Sequence, residues 1–189
     1  MEAARLRLLL GLVAAVFAGC AEKSLDEQLI VAVRRNQPAE VDRLLAAGAN
    51  VNADKVKGFE GRPPLFHAAT YGYVEIAQKL IDQGADVNTG VQAGAVTPLT
   101  VAALNGSASL VALLLSKGAQ VNTRDASGST ALTEAVRKGD AEVLRLLLQA
   151  GADPGVPMSD GRAPVCYARA NHYKQAEQVL LAAGARGAC

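Results

Sequence analysis

Apolar residues return along the chain in short runs, at 41–45, 76–81, 110–115, 143–148 and 179–181, and each run closes on a Gly-Ala pair. The pairs stand at Gly48-Ala49, Gly84-Ala85, Gly118-Ala119, Gly151-Ala152 and Gly184-Ala185, so successive markers lie 36, 34, 33 and 33 residues apart. Around the second run, Val74, Ile76, Ala77, Leu80 and Ile81 recur at helical spacing, which predicts a helix with one apolar face. A period near 33 residues is that of a small helical solenoid. One such unit cannot cover its own apolar face, and stacking against the next unit covers it.

The unit openings sharpen the assignment. Three of them read Gly61-Arg62-Pro63-Pro64-Leu65-Phe66-His67-Ala68-Ala69, Val96-Thr97-Pro98-Leu99-Thr100-Val101-Ala102-Ala103 and Gly128-Ser129-Thr130-Ala131-Leu132-Thr133-Glu134-Ala135-Val136. With the Leu-rich runs and the Gly-Ala endings, they resemble the ankyrin repeat. That family's pattern is a Thr-Pro-Leu-His opening, Ala-Ala, a Gly between helices, a Leu-Leu run and Gly-Ala-Asp-Val-Asn. The resemblance covers nearly all of residues 25–186. It implies an all-α repeat solenoid in which each ankyrin repeat has two antiparallel helices and a hairpin or loop link.

Five repeats are expected within a domain over residues 25–189. Residues 25–52 form an N-terminal capping unit, in which Asn36 takes the inter-helix place that Gly holds elsewhere and Pro38 opens the second helix. Units follow at 61–88, 96–122, 128–153 and 161–186. Thr97 is placed to satisfy free amides at its helix start, and Asp140 favours the N-terminal dipole of the helix after Gly139. The last unit departs most, with Arg169 at the second Ala position and His172 at the inter-helix Gly, which reads as C-terminal capping. Links at 53–60 and 89–96 are longer than the link at 123–127. Phe59 in the first of them needs either a packing site or a ligand.

The balance of nineteen Lys and Arg against eighteen Asp and Glu gives a formal charge of +1, so no general attraction to polyanions follows and no nucleic acid is expected as a partner. The extreme N-terminus changes the picture more. Arg5 and Arg7 precede an apolar stretch at 8–18, too short for the roughly 20 residues of a bilayer span and of the length of a secretory signal. Residues 1–19 therefore read as a signal peptide. Phe17-Ala18-Gly19-Cys20 resembles a bacterial lipobox, with Phe17 where the family usually has Leu. That resemblance implies acylation of Cys20 and a lipidated N-terminus with a short tether at 20–24. Plain cleavage by the ordinary signal peptidase is the other reading. Each buried acyl CH2 contributes about 0.8 kcal/mol, so more than one chain gives stable membrane attachment.

No catalytic set emerges, and neither a cofactor nor a metal is expected. The two histidines, His67 and His172, fall in different units, and the glycines recur with the repeat rather than forming a phosphate loop. Cys166 and Cys189 either close a disulfide between the last repeat and the tail or remain separate thiols. A redox-catalytic role is weaker, because no Cys-x-x-Cys arrangement is present.

Ankyrin families bind proteins through hairpin tips and the concave first-helix surface. By repeat position the resemblance selects Arg34, Arg35, Thr70, Tyr71, Leu104, Asn105, Arg137 and Lys138 before the inter-helix turns. It also selects Val31, His67, Val101 and Glu134 after the openings, and Arg124, Asp125 and Ser127 at a hairpin tip. Phe59 joins them from its loop. The expected function is a membrane-tethered, non-enzymatic scaffold or modulator that binds a protein of unknown identity. It would face the periplasm of a bacterial envelope from a lipid anchor, in the outer membrane by the Ala21 that follows Cys20. The alternatives are a structural or stress-protective spacer and a thiol redox protein.

Overall fold

The computed structural model describes residues 23–54, 56, 58–59, 61–90, 96–187 and 189. Cys20 and residues 1–19, on which the expectations of lipidation and a signal peptide fall, lie outside them. Ten helices form among the described residues, in five pairs: α1 (Leu25–Arg34) with α2 (Pro38–Ala46), α3 (Pro64–Tyr71) with α4 (Val74–Asp82), α5 (Pro98–Asn105) with α6 (Ala108–Ser116), α7 (Ala131–Lys138) with α8 (Ala141–Gln149), and α9 (Pro164–Ala170) with α10 (Lys174–Ala182). The first helices α1, α3, α5, α7 and α9 contact one another in sequence order, and the second helices do the same in a second layer. No described residue is in a β-strand. The architecture is the expected repeat solenoid.

Local chemistry explains the regularity. Proline at the first helical position costs nothing where an amide would be unpaired, and it opens α2, α3, α5 and α9. Thr97 accepts from the Thr100 amide at 3.2 Å, the expected cap. In the fourth unit Thr130 and Thr133 exchange this bond in both directions, satisfying two otherwise free donors. Asp140 takes the amides of Glu142 and Val143 at the start of α8. The first and last inter-helix turns are the exceptions foreseen, with Asn36 at φ 53° and His172 at φ 60° in the left-handed region.

The core runs between the two layers. Ala68, Ala69, Ala102, Ala103 and Ala135 are fully buried between first helices, whose close approach their small side chains permit, and Leu44, Ile76, Leu80, Leu110, Leu114, Leu144 and Leu147 fill the space from the second layer. Burying one such leucine contributes about 1.5–3 kcal/mol. Adjacent units are also tied by a polar ladder. The side chain of Asn52 accepts the Asp86 amide and donates to the Gly84 carbonyl, and Asn88 does the same to Gln120 and Gly118.

Candidate functional site

The C-terminal ends of α3, α5 and α7 form one continuous surface, because hydrogen bonds hold them in register. Thr70 donates its hydroxyl to the Phe66 carbonyl at 2.9 Å within α3. Asn105, one unit on, donates its side-chain amide to the Thr70 carbonyl at 2.8 Å, and Lys138, a further unit on, donates to the Asn105 carbonyl. These three predicted contact residues therefore also join repeats. Between them Tyr71 and Leu104 project, each 45 % exposed. Tyr71 stacks on the half-buried Tyr73 with ring centroids 5.5 Å apart, so one tyrosine of the pair packs and the other faces outward.

Phe59 has a packing site in the protein itself. Its ring meets the edge of His67 at 6.0 Å, and the Arg34 guanidinium lies over it at 5.6 Å. Val31, Arg34, Arg35, Phe59 and Tyr71 line an open groove of about 330 Å³ beside the first two units. Equivalence between repeats matches Arg35 with Tyr71 but gives no signal for Phe59, whose position in a link has no counterpart in the other units.

The row that follows the opening motif differs from expectation. Val101 is 7 % and Glu134 5 % exposed, so Glu134 is not an open surface carboxylate. The alanines beside it bring neighbouring first helices close enough to cover it. One oxygen of Glu134 pairs with Arg137 at 3.1 Å, while Oε2 is buried without a hydrogen-bond donor among the described residues. His67 in the same row is half-buried. Arg124 is exposed at the tip between the third and fourth units, where Asp125 accepts from the Ser127 and Ser129 amides and stiffens the hairpin.

Cys166 and Cys189 are joined, with sulfurs 2.05 Å and Cα atoms 5.4 Å apart. An open depression of about 590 Å³ lies beside them, but its cations are already answered: Arg162 by Asp160 at 2.6 Å and Arg169 by Glu177 at 2.7 Å. No group of His, Cys, Asp and Glu among the described residues is arranged to hold a metal ion, and none of the described helices is long and apolar enough to cross a membrane.

The family model described as "Ankyrin repeats (3 copies)" matches residues 3–91, 29–125 and 99–187. Among curated relatives, the chain is similar to the Ankyrin repeat and KH domain-containing protein mask of Drosophila melanogaster, 36 % identical over 59 % of this chain and 3 % of that protein. It is similar to Zygote-specific protein 3 of Chlamydomonas reinhardtii, 37 % identical over 62 % of this chain and 32 % of that protein. It is 32 % identical to the B-cell lymphoma 3 protein homolog of Mus musculus, over 62 % of this chain and 27 % of that protein. The chain thus spans about a third or less of the length of these relatives.

Proposed function

The chain belongs to the ankyrin-repeat family, and from that premise we propose that it is a protein-binding scaffold or modulator, tethered to a bacterial envelope membrane through Cys20 and facing the periplasm. The observation that carries the binding role is the outward projection of Tyr71 and Leu104 from adjacent first helices held in fixed register. Two large apolar groups side by side on an ordered, otherwise polar surface are the composition of a contact surface rather than of a solvated one. No catalysis is assigned to it. The tether rests on Arg5, Arg7, the apolar stretch at 8–18 and the Cys20 motif in the sequence. Lys23 and Ser24 directly precede α1, so a lipid on Cys20 would hold the first repeat close to the bilayer.

The test is chemical crosslinking of the full-length protein in native envelopes, followed by mass spectrometry, beside a Cys20→Ser form and a form with Tyr71→Ala and Leu104→Ser. One dominant partner, lost with the surface form, is expected. Incorporation of labelled palmitate into the full-length protein but not into Cys20→Ser checks the tether. Capture unchanged by the surface substitutions would remove the first-helix ends from the binding role, and absence of label would remove the lipid.

A further inference from the structure

The charge on the same surface narrows the partner. The C-terminal turns of α1, α3, α5 and α7 present Arg34 and Arg35 at one end, Tyr71 and Leu104 in the middle, and Arg137 and Lys138 at the other. All six are exposed. No carboxylate occurs in these four turns. The nearest on the first helices, Glu134, is buried and engaged with Arg137. Asp140, next along the chain from Gly139, gives Oδ1 to the amides at the start of α8, while its Oδ2 and the Lys138 ammonium both border Gly106 without forming an ion pair within 4.0 Å, so the strip is most strongly cationic at Arg34 and Arg35. Lys138 bonds a backbone carbonyl and Arg34 lies over a ring, so neither charge is neutralised by those contacts. In a chain of nearly balanced charge, this is a cationic strip with an apolar centre.

Resting on the protein-binding reading above, we propose that this strip recognises an extended acidic segment of a partner protein, with carboxylates at both ends and apolar side chains between them. Helices pack about 8–10 Å apart, so the three steps from α1 to α7 span about 24–30 Å. An extended chain rises about 3.3 Å per residue and covers that distance in about seven to nine residues. The end carboxylates meet Arg35 and Lys138, and the central side chains lie over Tyr71 and Leu104. Complementary charge sets orientation and rate of encounter, while the desolvated centre supplies most of the affinity.

The experiment selects from a random library of displayed peptides of about twelve residues, long enough for that span. The bait is the full chain, set beside an Arg35→Glu/Lys138→Glu form and a Tyr71→Ala form, each checked for unchanged circular dichroism and urea midpoint. Enriched peptides should carry acidic residues about seven to nine positions apart around an apolar centre. They should bind the charge-reversed form at least about tenfold more weakly, and should weaken on the native form as salt rises through the physiological range. Tyr71→Ala should also weaken them, by roughly tenfold. Enrichment of neutral or basic peptides at the same surface would overturn the acidic partner and leave the protein-binding reading standing. Acidic peptides that bind the charge-reversed form equally well would overturn it too. Absence of enrichment on any form would overturn the acidic segment, and the crosslinking of native envelopes would then decide the protein-binding reading separately.

Discussion

Asn122 holds the third repeat to the fourth through the backbone around Gly151: its side-chain amide donates to the Gly151 carbonyl at 3.0 Å and its oxygen accepts the Asp153 amide at 2.9 Å. Asn52 and Asn88 make the same pair of bonds at the two earlier junctions. A solenoid has few long-range contacts beyond neighbouring units, so junction bonds determine whether it unfolds as one body or unit by unit.

Replacing Asn88 by Ala removes a donor and an acceptor together and leaves a backbone amide and carbonyl to find water. The expected loss is about 1–3 kcal/mol. Asn88→Asp keeps the acceptor for the Gln120 amide but sets a carboxylate oxygen against the Gly118 carbonyl where the amide donated, so it should lose at least as much as Asn88→Ala. Urea unfolding of the three proteins measures this order; equal midpoints would show that water replaces both bonds without cost.

The left-handed glycine turns test a different constraint, Gly139 joining α7 to α8 within a unit and Gly151 following α8 at the exit to the next. Gly139 has φ 73°, and a Cβ there would lie 2.7 Å from the Tyr173 ring, whereas Gly151 has φ 87° and open space around it. Gly151→Ala should lose about 1–2 kcal/mol from the left-handed backbone alone. Gly139→Ala should lose more, because the ring must also move. In the last unit His172 occupies the turn equivalent to Gly139, at φ 60°. His172→Gly should therefore stabilise by up to about 1 kcal/mol, net of the flexibility glycine adds to the unfolded chain. Thermal midpoints of the three variants rank the effects.

How far this was legible in the sequence differs by layer. The Gly-Ala period and the Ala-Ala pairs were sufficient for the solenoid, because stacking units must place small residues where helices approach. Capping by Thr97 and the strained turns at Asn36 and His172 follow from local chemistry that needs no tertiary information. The candidate surface was only partly legible. Glu134 and Arg137 lie three residues apart on one helix, yet only Arg137 is exposed, because burial depends on how closely α7 meets its neighbours. The seat of Phe59 against His67 depends on the path of a link, and no repeat period encodes that path.

Asp82 connects the second-helix layer across a junction and carries a pH signature. Its carboxyl is held below the usual carboxylate range, first by a hydrogen bond from Gln78 and then by one from Lys117 of the next unit. A folded value below the unfolded one stabilises fully above the unfolded value, near pH 4, and the contribution is lost as pH falls through the folded value. Asp82→Asn should therefore lose less stability on acidification below about pH 4 than the native protein. The difference is small, because the group is exposed and screened by solvent. Urea midpoints collected from neutral to acid pH check the sign; parallel curves would show that the carboxylate is not coupled to folding.

The junction between the fourth and fifth repeats lacks the asparagine that ties the other junctions. Gly155 stands where Asn52, Asn88 and Asn122 stand in the earlier units; its amide keeps the local bond to the residue two before, Asp153 at 2.8 Å, that the Asn52 and Asn88 amides also make, but it has no side chain to reach the next unit. The end unit is secured by the link from Cys166 to Cys189, which closes a separation of 23 residues around α9 and α10. Cross-linking a loop of that length contributes about 3 kcal/mol by restricting the unfolded chain. Since each unit contacts only its neighbours, the contribution should stay at that end. In Cys189→Ser, or after reduction, amide hydrogens of α9 and α10 should exchange faster while those of α3 to α6 keep their protection, as followed by hydrogen exchange with mass spectrometry. The protein should then show an early loss of helix before the main urea transition. A uniform rise in exchange through all five units would mean instead that the clasp stabilises the solenoid as one cooperative body, and that the fourth and fifth repeats are coupled by their apolar contacts as firmly as the asparagine ladder couples the rest.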